Sequence, residues 1–199
     1  MNGTVGRTLV VGLVLIGVLS VADRVAAQDP TNPQMERALS LGADLGPVID
    51  TSGFVFAVED PDFTLPPDQQ FKVVFGVDAI PDGPEATNRF LDRVTRFINM
   101  HVEAGVPREN LDLVVMLYGG GTGTGLSNAA YREQFGVDNP NTALLRNLAD
   151  AGVEIFACAQ SAQLLGMTRE QFAGPVGWAH SAMTVFAALD HQGYYVDTR

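Results

Sequence analysis

The 199-residue sequence has little cysteine and little positive charge. Its single cysteine excludes an intramolecular disulfide framework and any metal site built from several cysteines. Lysine and arginine number 12 against 23 acidic residues, and the resulting net charge of −11 argues against nucleic-acid binding through a general basic surface. The 21 glycines and 11 prolines are too few for a low-complexity chain. A hydrophobic content of 46% instead predicts a folded protein with one medium-sized domain.

Motifs for a resident metal or cofactor are also lacking. The sequence contains no His-Glu-x-x-His motif and no Asp-rich calcium loop, so it predicts no metal and no cofactor. It has no Gly-x-Ser-x-Gly elbow of the kind that carries a nucleophilic serine. Of the three histidines, His101 shares a helical face with apolar residues and His191 lies near a helix end, whereas His180 ends a predicted strand and could approach a ligand.

Residues 1–27 are typical of a cleaved signal peptide. Arg7 supplies a positive start, the segment 8–22 is apolar, and Val25-Ala26-Ala27 supplies small residues before Gln28. A membrane-spanning helix needs about 20 apolar residues, more than this run contains. We therefore expect cleavage, a periplasmic or secreted bacterial protein, and no stable membrane association of the mature chain.

Residues 28–70 are rich in proline and predict an irregular N-terminal arm, with a helical patch at 33–41 and a strand-like patch at 53–58. Two interpretations remain open. The arm is either an extension that wraps a partner subunit or a loosely packed linker.

Residues 71–199 alternate between apolar strands and amphipathic helices. Continuous apolar strands separated by helices predict an α/β fold, a doubly wound and mostly parallel five-stranded sheet with helices on both faces. The predicted strands are 71–77, 111–118, 153–158, 176–180 and an edge strand at 193–196; the predicted helices are 85–104, 128–135, 141–151, 160–165 and 181–192.

Ligands of such sheets gather beyond the carboxyl ends of the strands. Three segments lie there, namely 78–85, 119–125 and 158–163. The second, Gly-Gly-Gly-Thr-Gly-Thr-Gly, resembles the phosphate-binding signature of the tubulin and FtsZ family, and its amides could cradle a phosphate. That family needs a considerably larger nucleotide domain, so the alternative is a flexible turn that lets the chain leave its strand.

Cys158 is the stronger candidate for chemistry. It ends a predicted strand, and the amides of the following turn would stabilise a thiolate and lower its pKa. Gln160 and Ser161 could donate hydrogen bonds to that anion or to a bound oxyanion. The alternative is a buried structural cysteine, because free cysteines are very often buried.

From residue 72 onward the chain resembles the DsrE/DsrF-like family, whose intracellular members carry sulfur as a protein persulfide. The resemblance covers about 128 residues. It rests on several stretches read in order: Lys72-Val73-Val74-Phe75, Gly105-Val106-Pro107 with Glu109-Asn110-Leu111, Ser127-Asn128 with Tyr131-Arg132, Phe135 to Asn141, Ala151-Gly152-Val153-Glu154, Cys158 with Gln160-Ser161, Ser181-Ala182-Met183-Thr184 and Gln192-Gly193-Tyr194.

This resemblance implies a flavodoxin-like layering of the domain and assigns the sulfur-carrying cysteine to Cys158. It also implies a homotrimer or homohexamer that the N-terminal arm would brace. Tyr118 stands where many relatives have a histidine, and Ala159 where a glycine is common. The candidate site therefore comprises a catalytic cysteine and six ligand-binding residues: Cys158 with Tyr118, Gly119, Gly120, Gly121, Gln160 and Ser161.

The function that these observations favour is a periplasmic sulfur carrier or relay protein. Its partners would be copies of itself and a sulfur donor or acceptor, either a protein or a small thiol. The alternative is a non-catalytic oligomeric module that binds a small ligand or anion, with a structural cysteine. Whether the protein turns over a substrate as an enzyme is left open.

Overall fold

The computed structural model describes residues 33–66 and 68–198, so the predicted signal peptide lies outside the described residues. The described chain begins with helix α1, Pro33–Ser40. Two short strands follow, β1 at Asp44–Leu45 and β2 at Phe54–Val55, and they pair antiparallel. Within 33–66 and 68–198, no helix is long and apolar enough to cross a membrane.

A five-stranded sheet forms the centre of the remaining chain. Its strands lie in the order β6-β5-β4-β3-β7, and every neighbouring pair is parallel. This confirms the predicted α/β fold. The strands are β3, Phe71–Val77; β4, Leu111–Leu117; β5, Glu154–Cys158; β6, Val176–Ala179; and β7, Tyr195–Asp197.

Helices connect these parallel strands. They are α2, Arg89–Glu103; α3, Asn128–Phe135; α4, Thr142–Asp150; α5, Ala159–Leu164; and α6, Ala182–His191. Three 3₁₀ segments lie at Arg108–Asn110, Gly119–Gly125 and Arg169–Gln171. Helix α2 begins four residues later than the sequence predicts, because Asn88 is extended and its side chain accepts a hydrogen bond from the Phe90 amide.

The two faces of the sheet are covered unequally. On the first face, β3, β4 and β5 pack against α2 and α4, and Leu91, Val94 and Ile98 of α2 are fully buried. On the second face, Val74, Val114 and Met116 form a cluster with Cys158 and α6. Helix α6 buries only Ala182 completely, so this cover is thin.

Part of the proline-rich segment docks on α2 of its own chain. The fully buried Asn99 of α2 accepts hydrogen bonds from the amides of Val48 and Ile49, and its side-chain amide donates to the carbonyls of Ile49, Ser52 and Gly53. Asp92 accepts two further bonds, from the Ser52 hydroxyl and the Gly53 amide. Neither interpretation of residues 28–70 predicts this docking.

Candidate functional site

Cys158 is the last residue of β5 and caps the start of α5, so the strand passes directly into a helix. Its sulfur accepts a hydrogen bond from the Ser161 amide at 3.4 Å and another from the Ala182 amide at 3.3 Å. Ala182 begins α6, and it arrives there because β6 pairs with β5, with Ala179 opposite Cys158. Helices α5 and α6 therefore both begin beside the Cys158 thiol.

This environment makes the thiol more acidic than an ordinary cysteine. Burial raises the pKa of Cys158, but hydrogen bonds from the Ser161 hydroxyl and from the amides of Ser161, Ala182 and Gln160 outweigh it. The net pKa is lowered because these donors stabilise the thiolate and not the neutral thiol. The residue itself is only 3% exposed.

Ser161 connects the thiol to the glycine-rich segment. The Gly119 amide donates to the Ser161 hydroxyl oxygen at 3.0 Å, while the hydroxyl proton serves the Cys158 sulfur. A hydroxyl oxygen can accept one hydrogen bond while its own proton is donated to another group. The Ser161 hydroxyl therefore links the Gly119 amide to the Cys158 sulfur.

The glycine-rich segment is a 3₁₀ helix, and residues 121–125 are buried in it. The Gly121 amide donates to the Tyr118 carbonyl, and a Cβ at Gly121 would collide with the Val77 carbonyl oxygen. Glycine is needed here so that the segment can lie against the end of β3. Gly119 and Gly120 are exposed, so of the three predicted ligand-binding glycines only these two are open to solvent.

Buried asparagines hold this segment in place. Asn88 donates to the Thr124 hydroxyl at 2.9 Å, and Asn139 donates to the Thr124 carbonyl at 2.9 Å. Asn141 in turn donates to Asn139 and accepts a bond from the Asn88 amide. This network fixes residues 119–125 between two connecting segments, which differs from the flexible turn considered for the sequence.

Tyr118 belongs to the same apolar cluster as Cys158. Its ring packs edge-on against Phe186 of α6 with 5.5 Å between centroids. Burial, followed by the nearby charge of Asp78, raises the pKa of Tyr118, so the phenol stays neutral at ordinary pH. Tyr118 therefore contributes a packing surface and a neutral hydroxyl rather than a base.

Hydrogen bonds bring three of the predicted site residues together, Cys158, Ser161 and Gly119. Gln160 is exposed and contributes its backbone amide. The Ala182 amide is the functional group that the sequence reasoning missed. The sequence predicts Ser181 at the start of the last helix, but the position of that helix beside Cys158 follows from the pairing of β5 with β6.

The position of His180 and the arrangement of metal-ligating side chains also bear on the chemistry of the site. His180 is exposed and follows Ala179, the residue opposite Cys158, so it lies at the same edge of the sheet. No group of three or more His, Cys, Asp or Glu side chains in the described part of the chain is arranged to hold a metal ion.

Residues 72–196 match the profile of the DsrE/DsrF-like family. Among solved structures, a protein of unknown function, MTH1491 from Methanobacterium thermoautotrophicum, is 17% identical, with a TM-score of 0.49. The ychN protein from E. coli is 19% identical, with a TM-score of 0.48. Each comparison covers 65% of this chain and 100% of the other. The sequence matches no curated protein.

Proposed function

The chain belongs to the DsrE/DsrF-like family, and from that premise we propose that it is a sulfur carrier in which Cys158 holds one sulfur atom as a persulfide. A single observation carries the proposal. The Cys158 sulfur accepts amide hydrogen bonds from the starts of two helices, α5 and α6, and its pKa is lowered. A thiolate is the form of cysteine that attacks sulfur.

Loading would proceed by thiolate attack on the sulfane sulfur of a donor. A new S–S bond forms at Cys158 while the S–S bond of the donor breaks, and the donor leaves as a thiolate. Delivery is the same exchange in reverse. An acceptor thiolate attacks the outer sulfur of the persulfide and releases Cys158 as a thiolate, so the two exchanges need no external oxidant or reductant.

The amides around Cys158 assist both the loading and the delivery of sulfur. The Ser161 and Ala182 amides stabilise the negative charge on the sulfur before attack and again when Cys158 is released. Gly119 and Gly120 are exposed, and the Gly119 amide donates to the Ser161 hydroxyl beside the sulfur. Tyr118 supplies apolar surface next to the sulfur.

Burial of Cys158 favours the alternative function. A cysteine that is 3% exposed and packed among Val74, Val114 and Met116 can be a structural residue of a module that binds small ligands. The two functions differ in the reactivity of the native thiol. A carrier reacts with a small alkylating agent while folded, whereas a structural cysteine reacts only after denaturation.

Intact mass spectrometry tests the carrier function directly. The mature protein is purified from the periplasm and weighed before and after reduction, beside Cys158→Ser. We expect a gain of one sulfur atom that reduction removes and that Cys158→Ser lacks. An unmodified mass, together with a thiol that reacts only after denaturation, would refute the carrier and leave the binding module.

We also propose that the protein acts outside the cytoplasm, as the apolar segment 8–22 and the small residues before Gln28 suggest. The same mass measurement tests this, because a chain cleaved after Ala27 has the mass of residues 28–199. A chain that retains its first 27 residues in every cell fraction would contradict the location.

Finally, we propose a homotrimer or homohexamer. The thin cover of the second sheet face supports it, since Met183 of α6 is 80% exposed. Exposed apolar side chains around an incompletely covered sheet are typical of an interface between subunits.

A further inference from the structure

A second candidate site lies on the other face of the sheet from Cys158. A cavity of about 770 Å³ opens between the beginning of α1, the loop 82–87 and the first half of α2. Helix α2 packs on the first sheet face, whereas Cys158 belongs to the cluster on the second. The cavity is large enough for a small metabolite.

Three arginines line this cavity beside three acidic residues, whereas the whole chain carries a net charge of −11. Arg89, Arg93 and Arg96 of α2 all line it. Their spacing of four and then three residues places them on one side of the helix. Arg93 also forms an ion pair with Asp197 at 2.7 Å, whereas neither Arg89 nor Arg96 forms an ion pair within 33–66 and 68–198.

Aromatic rings support these two guanidinium groups. Arg96 lies over the Phe54 ring at 4.1 Å from its centroid, and Arg89 lies over Phe90 at 5.2 Å. Stacking on a ring occupies the flat side of a guanidinium and leaves its N–H edge available to an anion. The Nε of Arg96 is buried and has no hydrogen-bond partner within the described chain.

The acidic residues of the cavity are placed differently. Asp92 accepts hydrogen bonds from Ser52 and Gly53, and thus serves the docked segment of its own chain. Asp82 and Glu85 are exposed, so water screens their charge. Arg96 is a half-buried cation of the cavity, whereas Arg89, like the two carboxylates, is exposed and has its charge screened by water.

We infer that this cavity binds a small organic oxyanion, a phosphate monoester or a dicarboxylate, through the guanidinium groups of Arg89 and Arg96. Both groups present the paired N–H donors that a carboxylate or phosphate accepts. Phe90, which also lines the cavity, provides an apolar surface for the carbon skeleton. This site is separate from sulfur chemistry at Cys158.

Calorimetric titration of the full protein at constant ionic strength tests the inference. Three probes separate the ligand classes: inorganic phosphate, glycerol 3-phosphate and succinate. We expect one saturable site per chain for at least one probe. Arg89→Gln and Arg96→Gln should each weaken it about tenfold or more, because each removes a charge-assisted hydrogen bond.

Matched variants make the outcome specific. Arg146→Gln removes the same charge from an exposed position on α4, away from the cavity, and should leave the affinity unchanged. Arg96→Lys retains the charge if Arg96→Gln fails to fold, and should bind more weakly than the native protein because lysine lacks the planar fork. Asp82→Asn should strengthen binding slightly by removing a repelling charge.

Two results would overturn the inference. One is the absence of saturable binding of all three probes at millimolar concentration. The other is an equal loss of affinity in Arg89→Gln and Arg146→Gln, which would indicate general charge attraction. Sulfur loading of Cys158, measured by intact mass in Arg89→Gln, reports on the carrier function separately and should be unchanged.

Discussion

At the scale of single residues, the acidity of Cys158 depends in part on the Ser161 hydroxyl, whose oxygen accepts a hydrogen bond from the Gly119 amide. Ser161→Ala removes that hydroxyl and leaves the Ser161 backbone amide in place. The pKa of the Cys158 thiol should rise, because one hydrogen bond to the charged form is lost. Thiolate absorbance as a function of pH, with the Cys158→Ser signal subtracted, measures it.

Gln160→Ala is the matched control for this prediction. Gln160 acts on Cys158 through its backbone amide, and its side chain is exposed, so the substitution should leave the thiol pKa unchanged. Equal shifts in Ser161→Ala and Gln160→Ala would show that the hydroxyl has no special role.

His101 gives the protein a pH dependence of stability. Burial lowers the pKa of His101 below its ordinary value of 6.5, against a smaller opposing effect from the Phe97 carbonyl, which lies 2.7 Å from Nδ1. Between the folded pKa and 6.5 the unfolded chain binds the extra proton, so this contribution to stability is complete above pH 6.5 and is lost as the pH falls through the folded pKa.

His101→Phe should remove this contribution while keeping the packing on Phe97, whose ring centroid lies 3.9 Å away. Urea unfolding at about pH 7.5 and about pH 5.5 measures the free energy of unfolding above and below the ordinary pKa of histidine. The native protein should lose more stability on acidification than the variant does. Identical losses would mean that His101 titrates alike in the folded and unfolded chains.

At the scale of elements, Asn99 is the main attachment between α2 and the segment 46–55. Asn99→Ala leaves the amides of Val48 and Ile49 and three carbonyls without their buried partner. We expect a loss of about 3–5 kcal/mol in the free energy of unfolding, measured with urea.

Asn147→Ala is the control for Asn99, because Asn147 is half-buried and donates to the Thr51 hydroxyl at 3.0 Å. It should cost only about 1 kcal/mol. A loss for Asn99→Ala as small as that for Asn147→Ala would mean that residues 46–55 are dispensable for the stability of the domain.

The 3₁₀ segment 119–125 offers two glycines with opposite surroundings. A Cβ at Gly121 meets the Val77 backbone, whereas the atom nearest to a Cβ at Gly123 is the terminal methyl carbon of Met167 at 3.8 Å. Gly121→Ala should therefore destabilise the fold by about 2 kcal/mol or more, and Gly123→Ala by less than about 1 kcal/mol. Thermal unfolding of the two variants makes the comparison, and similar losses would contradict the close approach.

The elements also show which parts of the fold could be predicted from the sequence. The strands 71–77 and 111–117 were predictable because each is a continuous apolar run that both faces of a parallel sheet can bury. The docking of residues 46–55 was not, because it depends on a polar residue, Asn99, whose partners lie about 50 positions earlier. Hydrophobic periodicity carries no information about such a contact.

The candidate site likewise contains residues that the sequence could place and one that it could not. Cys158 and Ser161 could be placed because both follow directly from the end of one strand. The Ala182 donor could not, because its approach to the sulfur requires the order of β5 and β6 in the sheet, which the sequence leaves open. The 3₁₀ conformation of 119–125 likewise depends on distant asparagines, Asn88 and Asn139.

At the scale of the whole molecule, the proposed assembly depends on the thinly covered face. Met183→Glu puts a charge at a position that is 80% exposed in the single chain, so its effect on the free energy of unfolding should be small. The same charge buried in a subunit interface would be costly, and sedimentation equilibrium should then show smaller species for the variant than for the native protein.

Met100→Glu is the control for assembly, because Met100 is 43% exposed on α2, on the opposite face of the sheet. It should leave the mass of the native assembly unchanged. A monomeric native protein, or dissociation by both substitutions alike, would contradict an interface at α6.

Because two helices begin beside Cys158, the lowered pKa of its thiol also depends on a residue that is synthesised later. Ala182 is made 24 residues after Cys158, so a growing polypeptide that already carries the cysteine still lacks one of its amide donors. Without its folded surroundings the sulfur behaves as an ordinary thiol, protonated for the most part at neutral pH. The lowered pKa of Cys158 thus requires a chain that has been synthesised beyond Ala182 and has folded, and a copy truncated before that residue would lack this donor.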